Sequence, residues 1–150
     1  MQIVDLKTYV VGNPWKNWIF VQLVTDEGLT GLGEATGGLS TKPNLGDVEE
    51  LRPHLIGEDP CQPSRIILKL VKARALHRST GISAVEQACW DILAKSLGVP
   101  MWKLFGGKHH ARLRVYANGW YQGPRDPVFF AEKAAEMASR GYTAFKFDPF

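Results

Sequence analysis

Residues 83–107 read SAVEQACWDILAKSLGVPMWKLFGG, a stretch that predicts one amphipathic helix followed by a sharp turn. Ser83 and, three residues later, Glu86 form the pattern of a helix N-cap with a capping box. Gly98 favours the end of the helix because it tolerates a left-handed backbone, and Pro100 prevents the helix from resuming. Apolar residues recur at helical spacing between these signals: Val85, Ala88, Cys89, Ile92, Leu93 and Leu97. The glycine pair that closes the stretch is a second break, so we expect one structural unit before it and another after it.

The residues before this helix predict a small sheet. Three segments are rich in strand-forming residues and are separated by short turns: Ile3–Val11, Ile19–Thr25 and Thr30–Ala35. Three strands connected in this way form an antiparallel meander. We interpret the glycines of residues 31–33 and 37–38 as turn glycines, and we expect residues 36–46 to be a loop.

Two more helices are predicted between the sheet and residue 83. Asp47 has the pattern of an N-cap for a short helix that runs to about His54. Pro63 suits a first helical position, and the helix after it is expected from about Ser64 to Leu76. A sheet followed by three helices indicates an α+β fold.

The residues after Gly107 follow a different pattern. Strands are expected at Leu113–Ala117 and Thr143–Phe147, and a helix capped by Asp126 lies between them. Strand, helix and strand make a βαβ unit with parallel strands. Because two parallel strands are not stable alone, we expect either more chain or a docking partner.

Composition and charge exclude several classes of protein. Apolar residues make up 45% of the chain and charged residues 22%, which is usual for a globular protein. No apolar run is long enough to span a membrane, and no signal peptide is recognised. The net charge of +3 without a basic run argues against nucleic-acid binding. We interpret Cys61 and Cys89 as buried thiols of a reducing compartment, which predicts a cytoplasmic protein.

Four candidate site residues lie in the βαβ segment. Lys146 and Asp148 come at the carboxyl end of the second strand, and Asn118 and Trp120 follow the first strand. Ligands bind at this edge in parallel α/β folds. An ammonium group there can stabilise a carboxylate or an enolate. The alternative is that Lys146 and Asp148 are solvated groups or an ion pair.

Further candidates lie between the first two strands. Trp15, Asn17 and Trp18 are expected in a loop, where two indole rings either close over a ligand or pack on neighbouring elements. His109-His110 has no third ligand at metal-binding spacing, so we interpret it as a solvated pair. No phosphate-binding glycine motif and no hydrolase nucleophile motif is present.

Several stretches together resemble the enolase superfamily, in its mandelate racemase/muconate lactonizing branch, over nearly the whole chain. The most similar group within it is the sugar-acid dehydratases of the galactonate and gluconate type. The stretches are FVQLVTDEGLTGLGEAT (20–36), LIGEDP (55–60), the quoted 83–107, RVYANGW (114–120) and RGYTAFKFDPF (140–150).

This resemblance implies an α+β capping domain at residues 1–110 and the start of a truncated TIM-like barrel at 111–150. It implies that Lys146 is the first lysine of the family's K-x-K motif and contacts the substrate carboxylate and the enediolate. Asp148 replaces the second lysine, a base in the racemases, which argues against racemase chemistry of that kind. Residues 15–18 and 38–42, the latter including Lys42, fall in two specificity loops of the family.

The resemblance also implies that the intact relative uses Mg²⁺. The three carboxylates that bind the metal and the catalytic His-Asp pair are expected on later barrel strands, outside these 150 residues. We therefore expect the chain to be the N-terminal portion of a sugar-acid dehydratase and to be inactive alone. We also expect it to form a homo-oligomer or to associate through the unfinished barrel. The alternatives are a racemase or cycloisomerase of the same superfamily, and a non-catalytic binding module.

Overall fold

The fold is described from a computed structural model, which defines residues 1–73 and 79–148. The chain divides into two compact units, one comprising Met1–Gly107 and the other beginning at Lys108. The expected end of the second helix at Leu76 lies outside the described residues, as does His77.

The first unit contains the expected antiparallel meander. Strands β1 (Ile3–Gly12), β2 (Asn17–Thr25) and β3 (Thr30–Glu34) form one sheet in the order β1-β2-β3. Leu6 of β1 pairs with Leu23 of β2, and Val21 pairs with Gly33 of β3. The fold class predicted for this part of the chain, a three-stranded meander with helices, is confirmed.

Helices follow the sheet along the chain. They are α1 (Thr41–Leu55), α2 (Pro63–Ala73), α3 (Thr80–Ser96) and α4 (Met101–Leu104). The expectation that α1 begins at Asp47 was wrong, because the helix already begins six residues earlier in the chain. Pro43 lies in its first turn, where a residue without an N–H is tolerated, so the Pro-containing segment is helical rather than a loop.

Helix α3 also begins earlier than the sequence pattern indicates. Its N-cap is Ser79, whose hydroxyl accepts a hydrogen bond from the Ile82 N–H at 3.1 Å, so the capping box at Ser83 is not used. The end of the helix was predicted correctly. Gly98 has φ of 65° and donates to the Lys95 carbonyl, and the Val99 N–H donates to the Ala94 carbonyl, which is the Schellman pattern.

The core of the first unit lies between the sheet and the helices. It is formed by completely or almost completely buried apolar side chains of β1, β2 and α1–α3, among them Ile3, Leu6, Ile19, Val21, Leu23, Val48, Leu51, Leu55, Ile66, Leu70, Val85, Ala88 and Ile92. Leu97 was expected on this face but is exposed. Burial raises the pKa of the Cys89 thiol to about 12, whereas Cys61 is only partly buried.

Gly31 and Gly33 allow α3 to contact the sheet directly. A Cβ on Gly31 would collide with the Ala88 carbonyl oxygen, and a Cβ on Gly33 would collide with the Ala84 carbonyl oxygen. The interpretation of these two residues as turn glycines was wrong, because both lie inside β3. Their missing side chains let the helix backbone lie against the strand.

Polar side chains of α3 bind the free edge of β3. Gln87 Oε1 accepts from the Glu34 N–H at 3.1 Å, and Asp91 Oδ2 accepts from the Leu32 N–H at 3.0 Å. Lys95 Nζ donates to the Thr30 carbonyl at 2.7 Å and pairs with Asp91 at 2.7 Å. This edge is therefore closed by side chains rather than left available to another strand.

The second unit is smaller and has less regular structure. Helix α5 (Pro127–Ser139) is capped by Asp126, as predicted. The two expected strands are reduced to a single parallel bridge between Ala117 and Phe145, with hydrogen bonds from Ala117 N–H to the Ala144 carbonyl and from Lys146 N–H to the Ala117 carbonyl. Two parallel segments without further neighbours make few ladder hydrogen bonds. None of the helices in residues 1–73 and 79–148 has the length and apolar content required to cross a membrane.

Candidate functional site

The turn between β1 and β2 is held by its own hydrogen bonds. Asn13 Oδ1 accepts from the backbone N–H groups of Trp15 and Lys16 at 2.8 and 2.9 Å. The Asn13 N–H in turn donates to the Lys16 carbonyl at 3.1 Å. These bonds close the turn, because an asparagine side chain can imitate a turn of the main chain.

Two indole rings at this end of the hairpin, one in the turn and one in β2, face one ammonium group. Lys16 Nζ lies 4.5 Å from the ring centroid of Trp15 and 4.2 Å from that of Trp18, which are cation–π distances. Trp15 is 72% exposed, whereas Trp18 and Lys16 are half-buried. Sequence reasoning selected the two tryptophans but missed Lys16, although the spacing Trp-Lys-Asn-Trp contained the signal.

The sequence predicted that Asn17 and Trp18 lie in a loop, and this was wrong. They are the first residues of β2 and pair with Gly12 and Val11 of β1, because the hairpin is closed by a shorter turn than expected. Asn17 Nδ2 donates to Thr41 Oγ1 at 3.0 Å. This bond connects the end of the hairpin to the first residue of α1.

Lys42 was expected in a loop but lies in the first turn of α1. The segment before the helix is held by Asn44, whose Nδ2 donates to the Gly37 carbonyl at 3.2 Å. No acidic residue lies in the first turn of α1. The hairpin end and the start of α1 thus contribute cationic and aromatic side chains to one edge of the first unit.

In the second unit, Lys146 and Asp148 lie at the carboxyl end of the parallel segment, and both side chains are exposed. The Lys146 N–H donates to the Ala117 carbonyl at 2.8 Å, which fixes its backbone next to the end of the first segment. Arg125 Nη1 donates to the Asp148 carbonyl at 3.3 Å. Sequence reasoning missed Arg125, because its position in a loop carried no local signal.

Asn118 and Trp120 follow the first parallel segment. Asn118 Oδ1 accepts from the Gly119 N–H at 2.9 Å, so the side chain stabilises its own turn. Trp120 contacts Phe147 and Phe145, with ring centroids at 5.5 and 6.1 Å. Its indole Nε1 is buried and has no hydrogen-bond partner among the described residues. Trp120 therefore belongs to an aromatic cluster and also carries a buried donor.

The ligands of the expected Mg²⁺ were predicted to lie outside these 150 residues, and the described residues do not assemble a metal site of their own. No group of three or more His, Cys, Asp or Glu side chains in residues 1–73 and 79–148 is arranged to hold an ion. The rings of His109 and His110 contact each other at 4.3 Å between centroids. The carboxylates that Mg²⁺ prefers are not assembled in this part of the chain.

Comparison with known proteins relates the chain to one family. The family model of the mandelate racemase / muconate lactonizing enzyme N-terminal domain matches residues 7–106. The D-gluconate dehydratase of Thermoproteus tenax is 41% identical over 142 residues, which are 91% of this chain and 29% of that protein. The D-gluconate/D-galactonate dehydratase of Picrophilus torridus is 35% identical, over 92% of this chain and 37% of that protein.

A solved structure shares the fold. The crystal structure of an enolase from Agrobacterium radiobacter, with sodium and L-malate bound, matches with a TM-score of 0.84 and 31% identity. The match covers 100% of this chain and 39% of that one. This chain spans 29% and 37% of the two curated relatives. By the domain matched, the chain belongs to the mandelate racemase / muconate lactonizing enzyme family.

Proposed function

We propose that this chain is the N-terminal part of a sugar-acid dehydratase, with a capping domain at residues 1–110 and the start of a TIM-like barrel at residues 111–150. The observation that carries the proposal is the 41% identity to a D-gluconate dehydratase over 91% of this chain. The parallel bridge between Ala117 and Phe145 supports the barrel part, because parallel pairing around a helix is the repeating unit of such barrels.

The reaction proposed is the loss of water from a sugar acid. A base removes the proton from the carbon next to the carboxylate and gives an enediolate. The hydroxyl group on the following carbon takes up a proton from a general acid and leaves as water, and the resulting enol tautomerises to a 2-keto-3-deoxy acid. Lys146 stabilises the negative charge of the carboxylate and of the enediolate with its ammonium group. We place the base outside these residues, because Asp148 stands where a second lysine would act.

Further residues are proposed to bind substrate. In the first unit these are Trp15, Asn17, Trp18 and Lys42, in agreement with the cationic and aromatic side chains at the hairpin. In the second unit they are Asn118 and Trp120, and Asp148 is assigned to catalysis with Lys146. The buried Nε1 of Trp120, which has no partner among the described residues, is available as a donor.

The remaining parts of the proposal concern the parent polypeptide. Mg²⁺ would be held by carboxylates outside these residues and would supply charge stabilisation for the substrate carboxylate. The free thiols of Cys61 and Cys89 support the proposal that the protein is located in the reducing cytoplasm. Exposed apolar side chains on the second unit, such as Leu113 and Val115, support association into an oligomer.

A racemase or cycloisomerase of the same family is the second candidate, because the matched domain is named after such enzymes. The products distinguish the two reactions, since a racemase gives an epimer and a cycloisomerase gives a lactone. A binding module without catalysis would give no product at all.

The test begins with the polypeptide that carries this sequence, isolated from its source cell and weighed by intact mass. It is then incubated with D-gluconate, D-galactonate and Mg²⁺, and the 2-keto-3-deoxy acid is measured. We expect product from a polypeptide more than twice the mass of this chain. Lys146→Ala should lower the rate by at least about 100-fold, whereas Lys133→Ala, in an exposed pair with Glu136 on α5, should not. An epimer, a lactone or no product from a folded polypeptide with Mg²⁺ present contradicts the proposal.

A further inference from the structure

The outer edge of β1, on the side away from β2, is covered near the beginning of the strand. The Ile3 N–H donates to the Glu58 carbonyl at 2.9 Å, and the Gly57 N–H donates to the Ile3 carbonyl at 2.9 Å. Further along, Arg52 Nη2 donates to the Leu6 carbonyl at 2.6 Å. These bonds occupy outward backbone groups of this part of the strand, so another strand cannot pair with it.

Beyond Leu6 the outward backbone groups have no such cover. Alternate residues of an antiparallel strand direct both their backbone groups to the same side. Because the Leu6 carbonyl points away from β2, the next residues with outward groups are Thr8, Val10 and Gly12. In the part of the chain that the structure describes, no group outside the sheet bonds to the backbone of these three residues. We call residues 8–12 the open edge.

The open edge lacks the features that usually protect an edge strand. It carries no charged residue and no proline. Its apolar side chains, Tyr9, Val10 and Val11, are all exposed. By contrast, the opposite edge of the sheet, at β3, is closed by polar side chains of α3. The sheet therefore leaves one short segment that is suited to pair with another strand.

The open edge is complementary to itself. If two copies pair in antiparallel direction about a twofold axis at Val10, this residue faces its own counterpart, and Thr8 faces Gly12 of the second copy. Each of these pairs can exchange two hydrogen bonds, because the same residues carry outward groups on both strands. Tyr9 then lies opposite Val11 of the second copy, and an aromatic ring beside a β-branched side chain is a favourable cross-strand pair. No like charges meet, since the segment is uncharged.

We propose that the open edge at residues 8–12 binds a second copy of this chain by antiparallel strand pairing, so that the two three-stranded sheets form one continuous sheet. The contact uses the same residues on both copies and therefore closes as a dimer. It involves the first unit alone and differs from association through exposed side chains of the second unit, such as Leu113. The inference does not depend on the proposed catalytic function.

The first test compares the full chain with Val10→Lys and with a matched control, Val4→Lys, by sedimentation equilibrium. Val4 is an exposed apolar residue of the same strand that lies outside the open edge. We expect the full chain to dimerise at micromolar concentration. Val10→Lys should raise the dissociation constant of the dimer at least about 10-fold, because it places two like charges directly opposite each other, whereas Val4→Lys should leave it unchanged. A monomeric full chain, or an unchanged constant for Val10→Lys, would overturn the inference.

Val10→Pro separates the loss of pairing from the loss of folding. Because the Val10 N–H points away from β2, this substitution removes no hydrogen bond of the sheet but removes a donor at the centre of the dimer. We expect the variant to keep the circular dichroism spectrum of the full chain and to lose dimerisation. A folded Val10→Pro variant that dimerises like the full chain contradicts the inference.

Cross-linking tests the register of the two strands. In an antiparallel pair that exchanges hydrogen bonds, the opposite Cα atoms lie about 5.5 Å apart, which is within the range of a disulfide bond. We expect Val10→Cys to give a disulfide-linked dimer on mild oxidation and Val4→Cys to give none, with Cys61 and Cys89 present in both variants. Equal cross-linking of the two variants, or none in Val10→Cys, contradicts the inference. Association through the second unit alone predicts that every variant associates like the full chain.

Discussion

Single residues decide how closely the first unit packs, and Gly33 is the clearest case. It lies inside β3, and the space where its Cβ would be is filled by the Ala84 carbonyl oxygen of α3. The neighbouring Gly31 meets the Ala88 carbonyl oxygen in the same way. Since the obstacle is main chain, a small rotation of a side chain cannot relieve it. The Gly-Leu-Gly segment is therefore a packing feature of the helix–sheet contact.

We expect Gly33→Ala to lower the free energy of unfolding by about 3 kcal/mol, because the added methyl group forces α3 away from the sheet. Urea unfolding followed by circular dichroism measures this change. Gly46→Ala is the matched control, since Gly46 is an exposed residue of α1 with open space around its Cβ. Its substitution should be neutral or should stabilise by up to about 1 kcal/mol. A Gly33 variant as stable as the control would contradict the packing argument.

At the scale of elements, α3 has two functions in the first unit. One face supplies core residues such as Val85 and Ile92, and another supplies the polar groups that bind the edge of β3. Asp91 is central because its Oδ2 accepts from both the Leu32 N–H and Lys95 Nζ. Asp91 therefore joins α3 to the sheet as well as to the next turn of its own helix.

Asp91→Ala should lower the free energy of unfolding by about 1–2 kcal/mol, because the Leu32 N–H and Lys95 both lose a charged acceptor. The opened strand edge should also increase self-association. Thermal unfolding and sedimentation velocity measure the two effects. Glu86→Ala changes an exposed carboxylate on the same helix and should alter neither. Equal behaviour of the two variants would show that the edge contact contributes nothing.

At the scale of the whole molecule, the buried apolar side chains are distributed unequally. The core cluster lies within the first unit, whereas Ala117 and Met137 are the buried apolar residues that the structure describes in the second. Folding requires enough buried apolar area to offset the loss of chain entropy. The first unit meets this requirement far better than the second.

We expect a fragment of residues 1–107 to fold alone and to unfold cooperatively, because it keeps the whole core cluster. A fragment of residues 108–148 should show no cooperative transition. Hydrogen exchange and thermal circular dichroism of both fragments test this, with the full chain as reference. The prediction fails if residues 1–107 melt without a transition, or if the second fragment protects its amides.

Much of the candidate site could be found from the sequence. The sequence identified Trp15, Trp18 and Lys146 as candidates by their side-chain chemistry and their positions next to predicted strands. The contacts of Asn17 and Arg125 could not be predicted in this way, because their partners are distant along the chain and only folding brings them close. The bond between Asn17 and Thr41, for example, joins residues 24 positions apart.

The sequence by itself determined the meander, the identity of most helices, the end of α3 at Gly98 and the family. The strands, the helices and the helix end depend on residues within a few positions of one another, and the family is recognised from several such stretches, so local patterns contain these features. Only the tertiary structure decided why Gly31 and Gly33 are glycines and how α3 closes the sheet. The contacts of Gln87 and Asp91 with β3 join residues 53 and 59 positions apart. Such contacts exist only once the helix lies on the sheet, and no local pattern specifies them.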